Sequence, residues 1–261
     1  MGRQTLGGST GKYRNARGDV PHCLIRSSLV VASTPDTAEA KLDAACMPMR
    51  ATNILNGGGQ CEQKKFVVLE KNCRGLKNAD RFDELMKELE NTWWDLLLLN
   101  ETWREQAKEK WESEQGHIFA GCGHISGRKG VAIVLHSRWQ SHLSAFNAIN
   151  EIICSMDFTA FGTKIRAISV YFPDSTYQDE EVQKVYEHIA EEAKLAKKQG
   201  RNILLAGDFN ARVGAGEGTS VHSSAGPYGY GEQNSRVQWL LTWSSTQCLE
   251  ITNSYLVFLQ R

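Results

Sequence analysis

From Phe66 onward the chain alternates between two patterns of apolar positions. The first is a short, dense run of aliphatic and β-branched residues with no three-or-four spacing, as in "FVVLEKN", "WDLLLLNET", "GVAIVLH", "EIICSMDF", "KIRAISVYF" and "NILLAGDFNAR". Such runs predict strands buried on one or both faces. The second has helical spacing. "DRFDELMKELEN" puts Phe82, Leu85, Met86 and Leu89 on one face, and residues 177–199 do the same with Val182, Val185, Tyr186, Ile189, Ala193 and Ala196. Acids crowd the start of that longer segment, Lys194, Lys197 and Lys198 lie near its end, and Gly200 stops it, in keeping with the helix dipole and with C-terminal glycine. A short helix through "SRVQWLLTW" and a strand at "CLEITNS" follow. The alternation predicts an α/β domain over residues 66–261 with a meandering, partly antiparallel sheet.

Residues 1–65 lack sustained periodicity and carry "GGSTGKYRNARGD", "STPDT" and "NGGG", so a disordered or loosely attached tail is expected there. Arg3, Lys12, Arg14 and Arg17 precede the first acid, Asp19, and make the tail locally basic; a solvated arm is the plainer reading than a nucleic-acid or import arm.

Composition narrows the function classes. With 261 residues, 41% of them hydrophobic, the chain can bury one substantial core. Lys+Arg and Asp+Glu both number 30, which excludes a whole-protein basic field and makes any contact with phosphate local. The 7 cysteines are odd in number, scattered and free of any CxxC pair, the usage of reduced thiols in a nuclear or cytoplasmic protein. Cys122 and His124 in "GCGH" have no second ligand pair, so a Gly-rich turn is expected rather than a metal site. Neither a bilayer-length apolar stretch nor a signal-peptide core is present, and Leu6 breaks the myristoylation pattern after Gly2. We therefore expect an intracellular protein that makes no membrane contact.

Polar residues gather where the predicted strands end. Asn72 follows the first run, Glu101 the second, Tyr171 ends "AISVY", and Asp208 and Asn210 leave "ILLAGDFN". Open α/β sheets build sites at the carboxyl ends of their strands. Chemically the set suits a hard cation and a phosphodiester. Glu101 and Asn72 are oxygen ligands of the kind Mg²⁺ accepts while keeping several waters. Asp208 is suited to activate water, Asn210 to orient it, and the Tyr171 hydroxyl to stabilise charge on phosphoryl oxygens. Each residue alone has a plainer role: Asn72 as a turn former, Tyr171 as a bonded core residue, Glu101 as the cap of a helix starting near Thr102.

Taken in order, "NCRGL", "LLLLNETW", "GVAIVLH", "ISVYFP", "ILLAGDFNARVG" and "GEQNSRVQWLLTW" resemble the exonuclease–endonuclease–phosphatase superfamily. Within it the likeness is to the endonuclease domains of non-LTR retrotransposons and the craniofacial development protein 2-like group derived from them. The resemblance runs from Phe66 to Arg261. It implies a four-layer α/β sandwich of the DNase I-like kind and phosphodiester cleavage, here of DNA, with Mg²⁺ or Mn²⁺. It also implies metal positions at Asn72 and Glu101, a phosphate-contacting Tyr171 and a water-activating pair, Asp208 and Asn210.

Two departures shape the expectation. Arg74 stands where many relatives carry an acid, and the sequence ends at "YLVFLQR", before the further strands and the Ser-Asp-His motif of the family. Loss of one preorganised donor costs about 10²–10³ in rate. The missing strands would also leave an inner sheet edge for a protein partner to cover. Three functions are therefore carried forward: a metal-dependent DNA endonuclease, a catalytically inactive retrotransposon-derived domain that binds nucleic acid or protein, and a phosphatase of small phosphoesters.

Overall fold

Two mixed sheets lie face to face, with helices on both outer surfaces, an α/β/β/α sandwich. The structure is a computed structural model that describes residues 28–32, 66–214, 224–226 and 232–255. The five-stranded sheet runs β2 (Val68–Asn72), β3 (Leu96–Asn100), β6 (Val131–Leu135), β5 (Ile118–Cys122), β4 (Glu109–Glu112). The six-stranded sheet runs β11 (Glu250–Ile251), β1 (Ser28–Ala32), β10 (Asn202–Asp208), β9 (Thr163–Tyr171), β8 (Ile153–Ala160), β7 (Leu143–Asn150). The helices are α1 (Ala79–Glu88), α2 (Asp179–Lys198) and α3 (Val237–Gln247).

Side-chain alternation along the strands explains why the runs read as unbroken. In β3, Leu96 and Leu98 enter the gap between the sheets, whereas Leu97 and Leu99 turn outward to meet Phe82, Leu85 and Met86 of α1. In β10, Leu204 and Ala206 face the gap, and Ile203 and Leu205 meet Val185 and Ile189 of α2. A strand covered on both faces has no polar side to show. Phe158, Met156, Ile165 and Ala167 complete the inter-sheet layer.

The outer face of β8 and β9 also holds a buried ionic cluster. Asp157 and Arg166 sit opposite one another in register. Arg166 donates to both carboxylate oxygens, at 2.7 and 2.8 Å, and reaches Glu192 of α2 at 3.2 Å. Arg201 lies 3.2 Å from the same Asp157 carboxylate. The Arg166 hydrogen bonds and the Arg201 ion pair offset the desolvation of Asp157, and the Arg166–Glu192 contact ties α2 to the sheet.

The predicted strands at Phe66, Trp94, Gly130, Glu151, Lys164 and Asn202 are present, as are all three helices. Four further strands were not predicted. Within the stretch expected to be disordered, Ser28–Ala32 form β1, which pairs antiparallel with β10 along Ser28↔Asp208 to Ala32↔Leu204. Beyond β10 the sheet therefore continues through β1 to the short β11. The rest of residues 1–65 lie outside the described residues. The strand expected at "CLEITNS" shrinks to Glu250–Ile251, because the backbone then turns into a 3-10 turn over Thr252–Tyr255. Among the described residues no helix is long and apolar enough to cross a membrane.

Candidate active site

The alternation that fills the inter-sheet gap with aliphatic side chains also decides what stands at its end. Continuing β3 from Leu96 and Leu98 brings Asn100 to the gap face, and β10 brings Asp208 there after Leu204 and Ala206. In β9, Ser169 and Tyr171 follow Ile165 and Ala167. The two parallel pairs end in register, Asn72 opposite Asn100 in one sheet and Tyr171 opposite Asp208 in the other. At this end the apolar filling gives way to polar groups from both sheets.

Backbone geometry then aims them. Just beyond β3, Glu101 adopts φ 50°, in the left-handed region, and its carbonyl accepts the Gly75 N–H at 2.9 Å. The Trp103 ring lies against Gly75 so closely that a Cβ there would come within 2.9 Å of it. The loops after β2 and β3 are locked together in this way, and Asn72 Nδ2 donates to Glu101 Oε1 at 2.7 Å. The Asn72 amide also acts on the Asp208 carboxylate across the gap, favouring its charged form. On the other sheet, Asp208 Oδ1 accepts the Asn210 N–H at 3.0 Å in a tight turn that places Asn210 at φ 47°. The Asn210 amide donates to the Phe172 carbonyl at 2.7 Å.

Proton affinities follow from burial. Desolvation pushes the Asp208 carboxyl above its ordinary range and the nearby Glu101 charge adds to the effect, against the Asn210 N–H and the Asn72 amide, which favour the carboxylate. Tyr171 is pushed up to about 12, first by burial and then by Glu101, Asp208 and Asp174. It is a phenol at neutral pH, with a proton to donate.

All five predicted residues meet at this one place. No helix follows Thr102, so the capping role for Glu101 does not arise. Cys122 ends β5 and is buried, with Gly123 and His124 in the turn that follows. Arg74 sits in that neighbourhood with an exposed side chain, its N–H bound to Asn72 Oδ1 at 3.2 Å. Two polar residues of the same end were not predicted. Asn100 is fully buried and donates to Glu70 Oε1 at 2.6 Å, and its Oδ1 is a buried oxygen without a hydrogen-bond partner. Alternation would have found both, since Glu70 lies two residues before Asn72 on β2 and Asn100 lies opposite Asn72.

The donor set fits a hard divalent cation. Its groups are carboxylate and amide oxygens, one of them orphaned. Among the described residues no three His, Cys, Asp or Glu side chains cluster into a cage. Mg²⁺ needs only one or two carboxylates, because it retains water and takes oxygens from a phosphate substrate.

The fold is the DNase I-like sandwich of a family whose members include endonucleases, exonucleases and phosphatases. The chain matches the endonuclease/exonuclease/phosphatase family over residues 53–239 and belongs to that family. It is 25% identical to craniofacial development protein 2 of Bos taurus over 201 residues, which is 75% of this chain and 32% of that protein. For the protein of the same name from Tragulus javanicus the identity is 24%, again over 75% of this chain and 33% of the relative. The chain thus spans about a third of the length of these curated relatives. Among solved structures it resembles the endonuclease domain of TRAS1, a telomere-specific non-LTR retrotransposon, at 17% identity and TM-score 0.44 over 70% of each chain. It also resembles the AP endonuclease LMAP from Leishmania major, at 16% identity and TM-score 0.42 over 60% of each chain.

Proposed function

We propose that the chain carries a Mg²⁺- or Mn²⁺-dependent phosphodiesterase site that cleaves DNA. The observation that supports this best is the convergence of Asp208, Asn210 and Tyr171 from one sheet with Asn72 and Glu101 from the other at the end of the inter-sheet gap. Glu101 and Asn72 would hold the cation, which supplies positive charge to the phosphoryl oxygens when bound.

The remaining chemistry lies in the chain's own residues. Asp208, with its proton affinity raised by burial, takes a proton from water as the water oxygen bonds to phosphorus. The ester bond to the leaving nucleoside oxygen breaks in the same displacement, and that oxygen collects a proton from solvent. Asn210, held in its left-handed turn, orients the water beside Asp208. The Tyr171 phenol donates a hydrogen bond to a phosphoryl oxygen as charge builds there. With 30 basic and 30 acidic side chains overall, DNA is held by local contacts at the site rather than by a general field. A DNA substrate goes with action in the nucleus, and the free thiols at Cys73, Cys122, Cys154 and Cys248 fit nucleus and cytoplasm alike.

The test is nicking of supercoiled plasmid by the chain in Mg²⁺, with EDTA and Asp208→Ala as paired controls. We expect nicking that EDTA abolishes and that falls at least about 10³-fold in Asp208→Ala. Nicking that survives either control would remove the site from the reaction, and a folded protein with no nicking at all would leave a binding domain in place of an enzyme.

A further inference from the structure

Asn210 acts through a conformation that side chains other than glycine adopt reluctantly, and its own neighbours supply only part of what holds it there. Its N–H is bound to Asp208 and its amide to the Phe172 carbonyl. The third restraint comes from a distant loop. Asn234 Nδ2 donates to the Asn210 carbonyl at 2.8 Å, and Asn234 Oδ1 accepts the Arg212 N–H at 3.0 Å. One amide side chain thereby spans the backbone on both sides of Ala211, as a paired strand would.

Asn234 is itself anchored. Its carbonyl accepts the Val237 N–H at 3.2 Å at the start of α3. Two residues on, the buried Arg236 guanidinium donates to the Tyr177 carbonyl at 2.8 Å and is ion-paired with Asp179 in the first turn of α2. The turn that presents Asn210 is therefore pinned through Asn234 to the two helices behind the six-stranded sheet. We infer that Asn234 is a positioning residue for hydrolysis, holding Asn210, and through its N–H the Asp208 carboxylate, in the geometry that orients water. This rests on the phosphodiesterase reading above, and Asn234 itself touches no reacting atom.

The two hydrogen bonds can be separated by substitution. Asn234→Ala removes both, whereas Asn234→Asp keeps an acceptor for the Arg212 N–H and loses the donor to Asn210. Two measurements on the full chain are needed, amide hydrogen exchange at Arg212 and steady-state nicking of supercoiled plasmid in Mg²⁺. Arg212 is exposed and lies in no strand or helix, so its N–H owes its protection to Asn234. We expect that exchange to accelerate about 10-fold or more in Asn234→Ala and to stay slow in Asn234→Asp. We expect kcat to fall about 10–100-fold in both variants, with KM within about twofold and the melting temperature unchanged. Unchanged kcat in Asn234→Ala of a chain that nicks, or a loss carried by KM together with a fall in melting temperature, would overturn the positioning role. If the unsubstituted chain does not nick, the phosphodiesterase reading fails and the positioning role fails with it; the exchange data then report separately whether the clamp exists.

Discussion

Gly207 precedes the candidate base, and Gly207→Ala gives the sharpest test of how this site is built. The residue lies in β10 opposite Val170 of β9, at φ 151°, a region that L side chains rarely occupy. A Cβ there would lie 1.8 Å from the Val170 carbonyl oxygen and 2.8 Å from its carbon. Backbone atoms of a central strand cannot swing aside as a flexible side chain does, so β10 must lift from β9. Strained backbone costs about 1–3 kcal/mol and overpacking about as much again, which sums to about 4 kcal/mol. For a domain of this size that corresponds to a melting temperature lower by roughly 10 °C.

Gly200→Ala is the internal control. Gly200 also has a left-handed backbone, φ 63°, but a Cβ there meets nothing within 4 Å, so only the conformational cost of about 1–2 kcal/mol applies. Urea denaturation of both variants, followed by circular dichroism and tryptophan fluorescence, should place Gly207→Ala well below Gly200→Ala. Plasmid nicking should be lost in Gly207→Ala even where the protein remains folded, because Asp208 moves with the strand. Equal midpoints for the two variants would show that β10 does not approach β9 as described and would refute the reasoning.

Two further outcomes follow from buried charge. Arg166→Met leaves Asp157 in the interior with Arg201 as its remaining ionic partner and should cost about 3 kcal/mol in urea denaturation, while Arg166→Met with Asp157→Leu should recover most of that loss; strictly additive losses would dissolve the pair. The His136 ring has its pKa pushed down to about 4 by burial, then by Arg138 and His117, with Asp95 opposing. A folded state that protonates less readily than the unfolded chain keeps its full stability above about pH 6.5 and loses it as pH falls through 4. Allowing for solvent screening of a partly exposed ring, the loss by pH 4.5 should be about 1–2 kcal/mol, and His136→Asn should flatten it. The same acid loss in that variant would clear His136 of the effect.

Sequence pattern captured the parts of the fold whose burial is unambiguous. β3 and β10 are aliphatic because both faces are covered, and α2 shows one stripe because only one face is. Three of the four strands it missed, β4, β5 and β7, break those rules. β4, "EKWE", is an edge strand whose side chains alternate between half-buried and exposed, and β7, "LSAFNAIN", is an edge strand with polar residues facing water. β5 is fully buried, but Gly121 interrupts its apolar run, and a side chain there would meet Ala132 at 2.9 Å. For the site, residues that follow an apolar run stood out, whereas Glu70 lies within its strand and reads as an interruption, and Asn100, though it ends the Leu96–Leu99 run, was passed over for Glu101 one residue on. Asn234 lay in the motif "GEQNSRVQWLLTW", but nothing there gave it a role, since it acts on backbone groups brought near by the fold.

The same gap that orders the core also sets the chemistry at its end. A carboxylate placed one register step beyond Ala206 inherits the desolvation of the apolar layer, which raises the proton affinity of Asp208 at a cost in stability at neutral pH. Among the described residues no salt bridge relieves that cost. The groups that counter it are neutral, the Asn210 N–H and the Asn72 amide, while Glu101 adds to it. Neutral donors hold the carboxylate in place without taking away its ability to accept a proton, and that is the balance a water-activating residue requires.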